Sequence, residues 1–454
     1  MTTIYIKTLG CKVNSYDSQA LACQLTELGY QMAVNPEEAE IMILNTCSVT
    51  HNAAREAHYI IRKMARAKEG AMIVATGCYA QTNPADLQKI DEVHFVAPNS
   101  QKEQLAATID RLYKEHAARR GHGFAPSKQG FAPGNELGAA RLSLTPIVPG
   151  QTRAYLRIQD GCESFCSYCI IPYARGRSRS VPAHEIISEV TRLQGLGIKE
   201  IVFTGIHLGN YGKDLLAAGE TQHLEPLAEL TRTLAESVLA DCRIRFSSIE
   251  PMEVTDTLLA VAREFQDKIC AHFHMPLQSG SDRILQLMNR PYSSAAYLER
   301  CRRVREFLPL ANITTDVIVG FPGETDEDFT ATCRIAQLAG ISKIHVFPYS
   351  VRQGTKAARM PDHLDPAVIA TRARQLREQS EQTEREYAQR FSGFVVNVLW
   401  ENSFDDKERR IGRTAHYLEV VADCAPHVKQ GESSTMRIRE VMASGMLLAS
   451  PLSQ

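Results

Sequence analysis

Near the N-terminus three apolar runs each close on a cysteine, and this recurrence restricts the fold more than any other feature of the chain. Ile4 to Leu9 leads through Gly10 to Cys11, Ile41 to Leu44 through Asn45 and Thr46 to Cys47, and Met72 to Ala75 through Thr76 and Gly77 to Cys78. Helix-like stretches, Tyr16 to Leu28 and Ala53 to Ala67, separate them. Strands alternating with helices predict a parallel sheet, and in such sheets ligands gather at the carboxyl ends of the strands. Cys11, Cys47 and Cys78, more than thirty residues apart in sequence, are therefore expected to converge on one edge as a three-thiolate site. The competing reading is three unrelated core cysteines, and equivalent placement at three strand ends argues against it.

A second triplet lies in the segment YLRIQDGCESFCSYCIIPYARGRSRS, Tyr155 to Ser180, where Cys162, Cys166 and Cys169 are spaced C-x3-C-x2-C after a short strand (Tyr155 to Ile158) and a Gly turn. Iron-sulfur clusters are held by cysteine thiolates, so three ligands on a four-iron cluster leave one iron free for a small molecule. An open position of that kind separates a catalytic metal from a closed structural one. A structural zinc site is the alternative, but it usually shows paired spacing and a fourth ligand. The next cysteine is Cys242, and His184 lies outside the loop.

With Tyr168 just before the third cysteine, this triplet resembles the radical S-adenosylmethionine superfamily, and DGCESFCSYCIIPYARGRSRS is similar to its methylthiotransferase branch. TLGCKVN (8–14), NTCSVTHNA (45–53) and ATGCYAQ (75–81) resemble the N-terminal motifs of that family, where three cysteines bind an auxiliary [4Fe-4S] cluster. The pairing of GCKVN with NTCSVT is most similar to the branch that modifies N6-threonylcarbamoyladenosine in tRNA. The branches acting on isopentenyladenosine in tRNA or on a ribosomal protein more often carry other residues there.

Length and composition set the frame. At 454 residues the chain is too long for one core and implies several domains, and 44% hydrophobic with 23% charged residues is ordinary for a soluble protein. No apolar run spans a bilayer and MTTIYIKTLG lacks a signal-peptide pattern, so no membrane association and a cytoplasmic location are expected. Twelve cysteines in that compartment imply metal binding or catalysis for those in motifs rather than disulfides. Cys23, Cys242, Cys270, Cys301, Cys333 and Cys424 suit small core hydrophobes and carry no assigned function. A net charge of −1 excludes a global electrostatic footprint for nucleic acid. Local patches remain: Arg55, Arg62, Lys63, Arg66 and Lys68 load one helix against Glu56, either as a solvated face or as phosphate contacts.

Residues 121–150 are rich in Gly and Pro and predict a linker. Beyond the cluster loop, candidate strands are Glu200 to Thr204, Arg243 to Ser247, His272 to Met275, Asn312 to Val319 and Lys343 to Phe347, alternating with helices from Ala183 to Arg390. With the strand before the triplet they make a partial (β/α)6 barrel, with chemistry expected at the strand C-termini by analogy with the full barrel. Polar or Gly-rich turns follow these strands. From about residue 386 the pattern becomes five short strands in a small β-barrel, which resembles the TRAM domain of tRNA-modifying methylthiotransferases. Residues 394–454 hold seven Lys and Arg against eight Asp and Glu, so charge lends RNA binding there no support.

The expected architecture is a multidomain α/β chain: an N-terminal parallel α/β domain (1–117), a linker (118–150), a central radical S-adenosylmethionine barrel (151–385) and a C-terminal antiparallel β-barrel (386–454). The resemblance implies two [4Fe-4S] clusters and S-adenosylmethionine bound at the open iron, with Tyr168 near the adenine, Gly205 near the methionine amine, and Gln278 and Ser279 beside the cofactor. Glu250 and Asp316 would be polar or ribose partners, or equally structural carboxylates. Arg175, Arg177 and Arg179 follow the loop with no intervening acid and are candidates for the substrate backbone, or else surface arginines. The implied partners are tRNA, a reductant protein of flavodoxin or ferredoxin type and a sulfur donor. A non-catalytic iron-sulfur RNA-binding protein is the reading from a different class.

Overall fold

The computed structural model describes residues 1–48, 51–118, 142, 144, 152–237, 241–405, 409–422 and 428–452. The expected linker, apart from its first residue, Leu142 and Leu144, and Cys424 lie outside the described residues. The described residues belong to two compact units that interleave along the chain: 1–148, 160–179 and 350–358 in the first, 149–159, 180–349 and 359–454 in the second.

In the first unit five parallel strands, β1 (Thr3–Thr8), β2 (Gln31–Met32), β3 (Ile41–Thr46), β4 (Met72–Gly77) and β5 (Phe95–Pro98), stand in the order β2-β1-β3-β4-β5. β3 and β4 are buried along their whole length, as continuous apolar runs require in a parallel sheet covered on both faces. Alternation decides which helix each residue meets. Met42 and Leu44 of β3 pack with Ala57, Ile61 and Met64 of helix α2 (His51–Ala67). Ile41 and Ile43 pack instead with Leu21 and Leu25 of α1 (Lys12–Glu27) and Ile109 of the helix Leu105–Ala118. Each such Ile or Leu contributes about 1.5–3 kcal/mol on burial.

The second unit contains β6 (Arg153–Arg157), β7 (Glu200–Thr204), β8 (Arg243–Phe246), β9 (His272–His274), β10 (Asn312–Val319) and β11 (Lys343–Pro348). They form two parallel three-stranded sheets, β8-β7-β6 and β9-β10-β11. Single parallel bridges, Ile244 with Ile269 and Ser248 with His274, connect them. Among the described strands no pairing brings β11 onto β6, so this is the open, partial (β/α)6 arrangement expected.

The C-terminal segment forms a closed barrel of β12 (Val395–Phe404), β13 (Arg410–Thr414), β14 (Glu419–Ala422), β15 (Ser433–Val441) and β16 (Leu447–Pro451), in the order β12-β13-β14-β16-β15. It departs from the all-antiparallel expectation at one seam, since β14 and β16 run parallel. The reason is parity: strand direction cannot alternate all the way around a closed ring of five. Trp400 fills the core with Val398, Val420, Ile438 and Leu447, its indole N–H donating to Ser434 Oγ at 2.7 Å.

This barrel meets the first residues of the central strands. Arg243 and Arg245 of β8 donate to the carbonyls of Arg413, Thr414 and Ala415 at 3.0–3.1 Å, and Asn312 of β10 donates to that of His416 at 2.7 Å. The Tyr417 ring stacks on His272 of β9 at 4.8 Å and carries Arg245 at 4.8 Å and Arg413 at 4.6 Å over its faces. Glu200 of β7, fully buried, accepts from Arg243 and Arg245 at 2.7 Å. Burial, then Arg245 and Arg243, push His416 down to about 4.

Candidate functional site

The three N-terminal cysteines follow adjacent strands of the first sheet, Cys11 after β1, Cys47 after β3 and Cys78 after β4. Gly10 has φ of +99°, and a Cβ there would lie 2.7 Å from Cys47 Sγ, so the backbone entering Cys11 runs directly against the Cys47 thiol. Thr46 ties the next pair of strand ends, its hydroxyl donating to Thr76 O at 2.5 Å and accepting from the Ala80 amide at 3.2 Å. Cys78 opens a short helix, α3 (Cys78–Thr82), and its sulfur accepts from Asn99 Nδ2 at 3.5 Å. Cys11 caps α1 in an extended conformation, where the positive end of the helix dipole favours an anionic sulfur. None of the three forms a disulfide.

Beside them lies a buried polar network that sequence reasoning missed. Arg175 donates to Asp160 Oδ1 at 3.0 Å, Asn14 Oδ1 at 2.6 Å and Asp17 Oδ2 at 3.1 Å, and Lys102 pairs with Asp17 as well. Asn14 in turn donates to the carbonyls of Leu9 and Thr46 at 2.8 and 3.1 Å. Burial would push the Arg175 guanidinium down, but Asp160, Cys78, Asp17 and Cys11 together hold it well above its ordinary value. Burial and Arg175 push the Lys102 ammonium down against the pull of Asp17. A permanent cation is therefore within electrostatic reach of Cys78 and Cys11. Asn14 and Asp160 both lie inside the recognised motifs, TLGCKVN and DGCESFC, which was the available signal.

Arg175 is thus corrected: its side chain is 1% exposed and bound to carboxylates, so it holds this network together and does not reach a substrate backbone. Arg177 is exposed, and Arg179 is half-buried with Nη2 3.9 Å from Asp160 Oδ2.

Cys162, Cys166 and Cys169 are half-buried in the loop 161–170 of the same unit. Gly161 has φ of +78°, and a Cβ there would come within 1.8 Å of the Arg177 carbonyl, so only glycine admits this return of the chain. The loop is closed by Cys162 N to Gly176 O at 3.0 Å and Ala357 N to Ser167 O at 2.7 Å. The Ser164 amide points at Cys162 Sγ from 3.5 Å, a donor of the kind that tunes cluster sulfurs. Tyr168 in this loop is half-buried.

Both triads fit a thiolate-bound cluster: sulfurs outside any disulfide on one short loop or on adjacent strand ends, with N–H donors or a buried cation beside them. Among the described residues no three His, Cys, Asp or Glu side chains close around one point as ligands of a single ion do. Cluster ligation spreads the thiolates over several irons.

The remaining expected cofactor residues lie in the second unit. Gly205 follows β7, and a Cβ there would sit 2.8 Å from Gln159 Oε1, which accepts from His207 N. Gln278 holds φ of +63° and joins Asp316 through its backbone, Gln278 N to Asp316 O at 2.8 Å. A non-glycine residue in that region is unusual and often marks a functional turn. Ser279 is fully buried with its hydroxyl shared between Thr332 and the Ser281 amide, so its side chain is already satisfied. Asp316 lies 3.1 Å from His274 Nε2, and Glu250 pairs with Arg290. Burial, then His274, push His345 down.

Two family models match the chain: Uncharacterized protein family UPF0004 over residues 3–97 and the Radical SAM superfamily over residues 156–336. The threonylcarbamoyladenosine tRNA methylthiotransferase of Bacillus subtilis is 38% identical over 93% of this chain and 90% of its own length. Its namesake in Aquifex aeolicus is 35% identical over 87% and 92%. The tRNA-2-methylthio-N(6)-dimethylallyladenosine synthase of Syntrophus aciditrophicus is 34% identical over 91% and 87%. Among solved structures, a radical S-adenosylmethionine methyltransferase of Kitasatospora setae with cobalamin and a [4Fe-4S] cluster bound superposes with a TM-score of 0.58 at 14% identity, over 79% of this chain and 74% of that one. That likeness is one of fold alone.

Proposed function

The chain belongs to the radical S-adenosylmethionine methylthiotransferase family, and from that premise we propose that it converts N6-threonylcarbamoyladenosine at position 37 of tRNA, next to the anticodon, to the 2-methylthio derivative. One observation carries this reading: two complete sets of three cysteines outside any disulfide stand in one compact unit, the composition that a radical-generating cluster and an auxiliary sulfur-handling cluster both demand. The high identity to two threonylcarbamoyladenosine enzymes over most of each chain supports this substrate over dimethylallyladenosine.

Cys162, Cys166 and Cys169 would hold the cluster that takes S-adenosylmethionine, and Cys11, Cys47 and Cys78 the auxiliary one. Bound there, the two clusters and S-adenosylmethionine supply reductive cleavage to a 5'-deoxyadenosyl radical and a source of methylated sulfur for C2 of the adenine. The protein's own part is positioning. The Gly161 return presents the loop cysteines, Gly10 and Thr46 fix the strand ends that carry the others, and Arg175 stabilises negative charge beside them. In the second unit Gln278 and Asp316, coupled through their backbones, are the cofactor contacts best supported by geometry; Tyr168, Gly205 and Glu250 complete the proposed set. Arg177 is the arginine of the loop free to meet the substrate backbone. The domain limits 1–117, 118–150, 151–385 and 386–454, a cytoplasmic location, a flavodoxin or ferredoxin reductant and a separate sulfur donor belong to the same proposal.

The test is an anaerobic assay of the reconstituted chain with S-adenosylmethionine, reductant and tRNA carrying threonylcarbamoyladenosine, followed by nucleoside mass analysis. A methylthio mass gain on that nucleoside is expected. Cleavage to 5'-deoxyadenosine without the gain would move the substrate to isopentenyladenosine or a ribosomal protein. Failure of cleavage altogether would leave a non-catalytic RNA-binding protein.

A further inference from the structure

One face of α2 gathers exposed cations along a single stripe. Ala57, Ile61 and Met64 turn inward to the sheet, while Arg55, Tyr59, Arg62, Lys63 and Arg66 lie exposed. Their spacing of i, i+4, i+7, i+8 and i+11 puts all five on one stripe, about 16 Å long at 1.5 Å per residue. The four cations make no ion pair among the described residues. The contrast is with the helix Ser294–Phe307, where Arg302 pairs with Glu299 and Glu306, and Arg303 with Asp256. Lys68, just past the end of α2, is drawn aside to the Glu38 carbonyl.

The stripe borders a cavity of about 610 Å³ whose lining includes Tyr79 and Asp86. Asp86, the one acid in that lining, is engaged by the Tyr79 hydroxyl and by His58 at 3.2 Å. The Tyr79 hydrogen bond, with His58, holds its carboxyl below the usual range. Asp86 therefore stays ionised, but four cations line the cavity against this one carboxylate, and the rim keeps a net positive charge. Tyr59, 67% exposed in the middle of the cations, offers an aromatic face. Tyr79 is the residue after Cys78, so the cavity begins where the auxiliary triad ends.

We propose that this face of α2 binds the phosphodiester backbone of the tRNA substrate and leads it toward the Cys11, Cys47 and Cys78 edge, a surface that rests on the functional reading above. Arginine forks match phosphate oxygens bidentately. Single-stranded nucleic acid adds base stacking on exposed aromatics, the role assigned to Tyr59. In a chain of net charge −1, a local stripe is the way to gain the counterion-release term that drives such binding.

The experiment measures binding of tRNA carrying N6-threonylcarbamoyladenosine to the full, cluster-loaded chain by fluorescence anisotropy across a salt series. The wild type is compared with the triple variant Arg55→Gln, Arg62→Gln, Arg66→Gln, with Tyr59→Ala, and with the charge-preserving Arg62→Lys. Iron content and visible absorbance report that each variant is folded and loaded. Affinity for the triple variant should fall roughly 10- to 100-fold near 0.1 M salt, and its log–log salt slope should shrink by about 2 to 3. Tyr59→Ala should weaken binding at all salt concentrations without changing the slope, and Arg62→Lys should keep most of the affinity. A triple variant that binds tRNA with wild-type affinity and slope overturns the surface, even where the wild type methylthiolates the same tRNA and so upholds the activity. Loss of cluster reduction by a flavodoxin-type donor with tRNA binding intact also overturns it, and gives the face to an acidic redox partner. A wild type that binds this tRNA but leaves the nucleoside unmodified refutes the activity instead.

Discussion

Replacing Arg175 with Met removes a buried cation and leaves its shape roughly filled, which isolates the electrostatic part of its role. The side chain is 1% exposed, and its carboxylate partners Asp17 and Asp160 are 3% and 6% exposed. Breaking a buried pair by deleting one member costs about 3–5 kcal/mol, because the partner stays buried without compensation. Here the two carboxylates fare differently. Asp17 keeps Lys102, whereas Asp160 loses its guanidinium partner at 3.0 Å and keeps the Gly161 amide at 2.9 Å and Arg179 at 3.9 Å. One carboxylate deprived of its close cation, with an amide donor still in place, puts the expected loss near the lower end, about 3 kcal/mol, or roughly a hundredfold in the folding constant. Arg175→Lys keeps the charge and loses the three-way fork, so it should recover about half. The assay is urea unfolding of the cluster-free chain, followed by circular dichroism and tryptophan fluorescence together. Trp400, the sole tryptophan, lies in the second unit, so a transition seen by circular dichroism and silent in its fluorescence belongs to the first. A first-unit midpoint that moves by less than about 0.5 kcal/mol in Arg175→Met, or an Arg175→Lys loss equal to that of Met, would refute this account of the network.

Changing Cys162, Cys166 and Cys169 to Ala should abolish S-adenosylmethionine cleavage and halve the bound iron, and the Cys11, Cys47 and Cys78 set should halve the iron while cleavage survives; iron analysis and 5'-deoxyadenosine quantification check both. Glu200→Gln leaves Arg243 and Arg245 facing each other across a buried amide, so the second unit should lose about 3–5 kcal/mol by Trp400 fluorescence. The Asp328 carboxyl, with burial opposed and outweighed by Arg283, Ser281 and the Thr325 amide, is held down to about 2. Its contribution, about 2 kcal/mol, is present above the ordinary aspartate range and lost as pH falls toward 2. The gap between wild type and Asp328→Asn in urea midpoint should therefore narrow from pH 5 downward.

What the sequence discloses of this fold tracks the range of the forces involved. Strands Glu200–Thr204 and Asn312–Val319 fall where apolar runs predict them, since burial on both faces is written within a few residues. α1 starts four residues earlier than its apolar periodicity, because Cys11 occupies the cap. β2 and β5 escaped notice: two and four residues are too short to carry a pattern. Arg175 looks like a surface arginine because its partners Asn14 and Asp17 lie some 160 residues away. The glycines of TLGCKVN and DGCESFC were visible as motif letters, yet what demands them, the Cys47 sulfur and the Arg177 carbonyl, appears only once the chain is folded.

The C-terminal barrel rests on Arg153, Arg243, His272 and Asn312, each the opening residue of a central strand. It therefore acts as a stopper in the end of the open barrel opposite to the one where strand C-termini present their turns. Cutting the chain before Val395 would unseal that end, stranding the Glu200 carboxylate and its arginines in contact with water and depriving His272 of the Tyr417 ring. A shortened enzyme that no longer binds or modifies RNA would consequently say little about whether the barrel touches RNA. Point changes on its outer face, away from residues 413–417, are the informative way to ask.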